Sequence, residues 1–268
     1  MVDTARDFSG SIPEYYDSIL GPAQLNALAA DLVRRMPVRP KGDVLELACG
    51  TGIVTQRLRE RIDPNFRLVA SDLSEAMLAY ARSKVKGKID WRIADAAALP
   101  FKDETFGAVL CALGVMFVPD KEKLFAETRR VLAEGGLLLF NTWDRIELNP
   151  HSRITTEVMQ GLFPGDPEMD FSSIPYGFND EAIIRGLLEG ARFRNVEIDK
   201  LKIQIDCPSA RTFATGILRG TPRSSLIEKK GANLDQVIEK VATALAAVGG
   251  AEPLRLEANT LVVRAQAY

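Results

Sequence analysis

Val44-Leu45-Glu46-Leu47-Ala48-Cys49-Gly50-Thr51-Gly52 is the stretch on which the fold turns. Val44, Leu45 and Leu47 make an apolar run of the kind that fills a parallel strand buried on both faces. A glycine-pivoted turn follows, and Ile53-Val54-Thr55-Gln56-Arg57-Leu58 then reads as a helix. Gly50 and Gly52 remove Cβ atoms where the backbone must turn sharply and lie close to a ligand. The helix start offers unpaired N–H groups and the positive end of a dipole. A turn of this kind at the carboxyl end of a strand is the usual ligand crevice of a doubly wound sheet. The dinucleotide fingerprint G-x-G-x-x-G requires glycine at position 55, where this chain has Thr55.

The bulk numbers bound the answer without deciding it. A chain of 268 residues accommodates one large domain or a core with appended caps. It is 46% hydrophobic and 26% charged, ordinary globular values. The 34 basic and 36 acidic residues give a net charge of −2, which argues against a nucleic-acid partner. Three widely separated cysteines, Cys49, Cys111 and Cys207, read as reduced rather than as disulfides or metal ligands. The start, MVDTARDFSG, lacks the basic-then-apolar pattern of a signal peptide, and no apolar run reaches the ~18 residues of a membrane helix. The expectation is a cytoplasmic protein, monomer or homodimer, with no membrane partner.

Outward from the turn, residues 1–39 read as an amino-terminal cap segment. Pro22 stands near the first position of a helix whose face carries Leu25, Leu28, Ala29, Leu32, Val33 and Met36, stopped by Pro37. Ahead of it, Tyr15 and Tyr16 either lie against the ligand or anchor the terminus. On the other side, Phe66–Ser71 reads as a second strand ending at Asp72, 72 − 50 = 22 positions after Gly50. An acid about 20 residues on is placed to meet a ribose diol, whose two hydroxyls a carboxylate accepts together. Asp72 could equally cap the next helix, but Ser74 already fills that role. Ile89–Ile93, Phe106–Ala112 and Leu137–Asn141 read as three further strands, with a helix over 121–132 before Gly135-Gly136.

Four runs in this order, VLELACGTG, DLSEAML, ADAAALPF and VLAEGGLLLFNTW, resemble the class I S-adenosylmethionine-dependent methyltransferases, in the small-molecule branch similar to the ubiquinone/menaquinone-biosynthesis type. The resemblance implies an α/β, doubly wound, mostly parallel seven-stranded sheet with an antiparallel last strand, helices on both faces and helical cap insertions. Its core is residues 40–145. It implies that Glu46, Ala48, Gly50, Thr51 and Gly52 wrap the methionine part of S-adenosyl-L-methionine, and of the product S-adenosyl-L-homocysteine. Asp72 would hold the ribose, with Leu73 and Met77 flanking adenosine and Asp95 and Ala96 meeting adenine. Cys111 would face the sulfonium, and Tyr16 would lie over the cofactor. Gly107 stands where the family usually has an acid. The Asn/Asp-Pro-Pro-aromatic run of enzymes that modify amino groups of nucleic acid or protein is absent, which points to a small organic acceptor.

The second half departs from the pattern. Residues 146–178 read as a lid insertion, 179–206 as the core resumed, 207–250 as a second cap insertion and 251–268 as the last core strand. Asn179 is placed to cap a helix through Glu189 with Ile183, Ile184, Leu187 and Leu188 inward. Val196–Ile205 alternates like a strand with one wet face, and Leu234–Val248 reads as a helix with Val237, Val241, Leu245 and Val248 on one side. The aromatic and apolar residues of the insertions (Phe163, Phe171, Tyr176, Phe178, Phe213, Leu218) suit a dry acceptor pocket. Arg211, Arg219 and Arg223 either grip an anionic group there or stand exposed on a helix face. The single histidine, His151, is a candidate general base or else a packing residue. No metal-ligand spacing recurs. The reading is methyl transfer to a small organic acceptor. Its alternatives are an NAD(P)-dependent oxidoreductase and a non-catalytic cofactor-binding protein.

Overall fold

The computed structural model describes residues 8–170 and 172–268. Residues 1–7 of the cap segment, and Phe171, lie outside the described residues. Seven strands form one sheet in the order β3-β2-β1-β4-β5-β7-β6. The first five, β1 (Asp43–Leu47), β2 (Leu68–Asp72), β3 (Asp90–Ile93), β4 (Phe106–Ala112) and β5 (Leu132–Trp143), pair in parallel. The last, β7 (Leu254–Ala267), runs antiparallel between β5 and β6 (Phe193–Cys207).

Side-chain alternation explains why the sheet is covered on both faces. Val44, Ala108, Leu110 and Leu139 join one apolar cluster with α2 (Asn26–Arg34) and α3 (Ile53–Arg61). Their strand neighbours Leu45, Val109, Cys111, Leu138 and Phe140 join another. That second cluster takes in α5 (Lys121–Val131), α6 (Pro150–Leu162), α7 (Glu181–Gly190), α8 (Ala210–Arg219) and α10 (Leu234–Gly249). A period of two divides each strand between the faces, so neither face reads as polar.

Several local expectations are corrected by the structure. Helix begins at α1 (Ile12–Tyr15) and runs through a π-helical segment, Tyr16–Leu25, so Pro22 lies inside helix rather than near its start. The proline ring and its missing N–H conflict with i→i−4 bonding, and the chain shifts to the wider turn, with the Asn26 N–H bonding the Gly21 carbonyl. The cap of α7 is Asp180, which accepts the Ala182 and Ile183 N–H groups, and not Asn179. Ile183 and Val248 are exposed because each lies off the buried stripe of its helix. Gly135 and Gly136 sit within β5, where the register with β4 shifts, rather than ahead of the strand. Ser74 does cap α4 (Glu75–Lys84), accepting the Met77 N–H at 3.3 Å.

The turn after β1 lies where strand order reverses between β1 and β4, the crevice that doubly wound sheets open. Ala48, Gly50 and Gly52 all have positive φ, at 50°, 55° and 82°. The two glycines meet different constraints. A Cβ on Gly50 would touch nothing within 4 Å, whereas one on Gly52 would lie 2.4 Å from Val85 Cγ2 and 3.2 Å from Ala81 Cβ. Gly52→Ala is therefore expected to cost about 2–4 kcal/mol, strain plus overpacking, and Gly50→Ala only about 1–2 kcal/mol of strain. Urea unfolding of the two variants measures the difference. Equal losses would mean the α4 contact does not constrain the turn.

Candidate active site

Two adjoining cavities occupy this end of the sheet. The first is lined by Glu46, Ala48, Cys49, Gly50 and Thr51 from the β1 turn, and by Ala112, Leu113 and Asn141 from the ends of β4 and β5. Leu25, Leu28 and Ala29 of the amino-terminal helix close it, with Tyr16 at its edge. Glu46 is 1% exposed and its Oε2 has no hydrogen-bond partner. Burial drives its pKa up to about 8; the Thr55 side chain opposes the rise and the Asp72 charge adds to it.

Asp72 fastens the turn from the neighbouring strand. Its Oδ2 accepts the Gly50 N–H and its Oδ1 the Ser74 N–H, each at 2.8 Å. Burial raises its pKa while these N–H groups act against the rise. Tyr16 is pushed up to about 12, first by burial and then by the Asp72 and Asp17 carboxylates, so its hydroxyl keeps its proton.

The structure sorts the remaining expected residues. Glu46, Ala48, Gly50, Thr51 and Tyr16 line one cavity, with Asp72 bonded to its wall. Gly52 instead serves the packing of α4. Met77 is buried beneath the Asp72 turn and Leu73 is 70% exposed beside it. Asp95 is exposed after β3, its Oδ1 accepting the Ala97 N–H, and Ala96 follows it half-buried. Cys111 is not among the residues lining the cavity: it is 2% exposed within β4, and Ala112 at the strand's end and Leu113 just past it, where the backbone turns at a φ of 50°, line the opening instead. Asn141 was missed. It is fully buried, and its Oδ1 accepts the Leu113 N–H at 2.8 Å. A polar side chain closing the apolar run Leu137–Phe140 at a strand's carboxyl end was the available signal.

The second cavity lies beyond Tyr16 and holds His151, Ser152, Tyr176, Thr221 and Arg223 among apolar side chains such as Trp143 and Ile217. His151 is 1% exposed on α6. Its Nε2 lies 3.3 Å from the Tyr176 hydroxyl, which donates to Ser152 Oγ at 2.7 Å. Burial, then the Arg223 charge, lowers its pKa to about 3. His151, read from the sequence as a candidate general base or else a packing residue, stands as a neutral imidazole in the cavity wall.

Residues 44–136 match the family model described as a methyltransferase domain. The ubiquinone/menaquinone biosynthesis C-methyltransferase of Klebsiella pneumoniae subsp. pneumoniae is 30% identical over 174 residues, covering 60% of this chain and 69% of that protein. The chain belongs to the class I S-adenosylmethionine-dependent methyltransferases. The Pasteurella multocida relative of the same description is 35% identical over 174 residues, 63% of this chain and 62% of its own length. Phosphoethanolamine N-methyltransferase 2 of Haemonchus contortus, solved with S-adenosyl-L-methionine, shares the fold at a TM-score of 0.63 and 17% identity, over 100% of this chain and 60% of that one. The YcgJ protein of Bacillus subtilis shares it at a TM-score of 0.59 and 15% identity, over 90% and 98%. The methyltransferase therefore takes its methyl group from S-adenosyl-L-methionine, and the oxidoreductase alternative falls. Among the described residues no cluster of His, Cys, Asp or Glu could hold a metal, and no helix is long and apolar enough to cross a membrane.

Glu46 gives this methyltransferase a pH signature. Its native pKa of about 8 lies above the ordinary 4.5, so the folded chain keeps a proton that the unfolded chain loses. That stabilisation is complete below the unfolded pKa and is lost as pH rises towards 8, a change on the order of a few kcal/mol. Melting of the cofactor-free protein should drop between pH 5.5 and 8, and Glu46→Gln should flatten that drop. A variant with an unchanged profile would show that Glu46 ionises normally.

Proposed function

We propose that this methyltransferase acts on a small organic acceptor held in the second cavity, with the cofactor held in the first. The observation that carries the reading is that Tyr16, Leu25 and Leu113 line both cavities, so the two adjoin and a donor in one would meet an acceptor in the other at these residues.

The residues of the first cavity fit the cofactor. The unpartnered Glu46 oxygen suits an ammonium group, and ionisation of the carboxyl against that charge would recover its burial cost. Each Asp72 oxygen accepts one N–H and has acceptor capacity left for a ribose hydroxyl. Asp95, Ala96, Leu73 and Met77 take the adenine end in this reading. When bound, the cofactor supplies an activated methyl group whose transfer is an in-line displacement, the carbon–sulfur electron pair leaving with sulfur. The chain's own contribution is alignment and exclusion of water. Tyr16, Leu25 and Leu113 fix the line of approach, and Trp143 stacked at 5.8 Å on Tyr176 dries the acceptor side. Segments 146–178 and 207–250 act as the lid and cap over that side, with Arg219 resting 5.9 Å over the Tyr15 ring. The three buried free cysteines suit a reducing cytoplasm.

Ile217 is 3% exposed and lines only the acceptor cavity of the two. Ile217→Trp should fill that cavity and leave S-adenosyl-L-homocysteine affinity within about twofold. Transfer of labelled methyl to any acceptor found in a small-molecule panel should fall by a hundredfold or more. Retained cofactor-product binding shows that the variant is folded. Retained transfer would place the acceptor elsewhere.

A further inference from the structure

The amino-terminal segment presents a stripe of side chains to the acceptor cavity. Tyr16, Leu20 and Gln24, spaced four apart on the π-helical segment Tyr16–Leu25, all line it. Leu20 is what a core position would hold, but Gln24 carries a carboxamide where a further apolar residue would continue the stripe. Gln24 is 5% exposed, and its Oε1 is buried without a hydrogen-bond partner. A buried amide carbonyl left unpaired destabilises the free protein, and a ligand that supplies the donor removes that cost.

The side of the cavity built by α6, residue Tyr176 and the end of α8 differs, because its hydroxyls bond one another or nearby backbone. The Tyr176 hydroxyl donates to Ser152 Oγ at 2.7 Å, and the Thr221 hydroxyl, ahead of α9 (Arg223–Lys229), donates to the Ile217 carbonyl at 2.7 Å. Thr221 Oγ1 also accepts from Arg223 Nη1 at 3.3 Å. Gln24 Oε1 stands outside these pairings. Its neighbour Leu25 lines the cofactor cavity as well, which sets the amide on the side of the chamber nearer the methyl donor.

From this placement, and resting on the acceptor-cavity reading above, we propose that Gln24 is a specificity-determining residue for the methyl acceptor. Its Oε1 accepts a hydrogen bond from an O–H or N–H group of the acceptor, whose apolar or aromatic body packs on Trp143, Leu113 and Ile217. A molecule of the same shape without that donor leaves the amide unpaired and is rejected. Gln24 moves no proton and holds no part of the cofactor.

The test titrates the protein, saturated with S-adenosyl-L-homocysteine, with two matched pairs, indole against benzofuran and phenol against toluene. The members of a pair share size and shape and differ in one N–H or O–H. Indole and phenol should bind at least about fivefold tighter than their partners. Burial alone would favour the less hydrated benzofuran and toluene. Gln24→Met keeps length and volume but removes the amide, so it should abolish both preferences while S-adenosyl-L-homocysteine affinity stays within about twofold of wild type. Its melting temperature should rise or stay within about 5 °C of wild type; a larger drop would show that the amide has a structural partner and would overturn the proposal. Equal binding within both pairs in the wild type would overturn it without any variant, and so would preferences that survive in Gln24→Met. A preference confined to one pair supports it and assigns the donor as N–H or as O–H. Ile217→Trp separates this proposal from the reading it rests on. If that variant blocks all four probes, they occupy this cavity, and equal binding in the wild type then sinks the role of Gln24 alone. A Gln24-dependent preference that persists in Ile217→Trp would overturn the cavity assignment instead.

Discussion

The Asp72 carboxylate is the tie on which the site depends. It reaches from the end of β2 to the turn after β1, accepting the Gly50 N–H on one oxygen, and closes its own turn by accepting the Ser74 N–H on the other. Charge-assisted bonds of this kind are worth about 1.5–3 kcal/mol each. They fix a backbone that three alternate positive-φ positions, Ala48, Gly50 and Gly52, would otherwise leave strained. The same carboxylate raises the cost of ionising Glu46 in a cavity that a protonated Tyr16 also lines. Asp72 and the carboxyl of Glu46, which a nearby cation would ionise, suit a cationic donor.

The acceptor side has the opposite bias. Arg223 keeps a positive charge where His151 has lost the ability to carry one. One aromatic residue, Tyr16, stands between the two fields and belongs to a π-helical turn. Such turns arise where a proline prevents ordinary helix bonding, and they re-aim the side chains around them.

The first half of the chain was legible because local rules and the fold agree there. The continuous buried runs of β1 and β4, the glycine turn and the Ser74 cap all describe features that neighbours in sequence decide. Position 52 was legible as glycine but not for its reason, since Val85 and Ala81 are brought to it by the packing of α4. Cys111 and Asn141 show the limit on the site itself. Which residue reaches the crevice depends on where β4 ends and its backbone turns, at Ala112 and Leu113, and on the pairing that sets Asn141 opposite Ala112. The acceptor cavity was legible only as composition. Its walls come from the amino-terminal helix, β5, α6 and α8, joined by contacts far apart in sequence, and no spacing rule singles out Arg223 from Arg211 and Arg219.

Calorimetric titration of S-adenosyl-L-homocysteine into Asp72→Ala and Asp72→Asn tests the central claim most directly. The account predicts at least a tenfold loss of affinity for Asp72→Ala, because two acceptors of backbone and ribose donors vanish together. It predicts a smaller loss for Asp72→Asn, which keeps one acceptor oxygen. Unchanged affinity in both folded variants would contradict it.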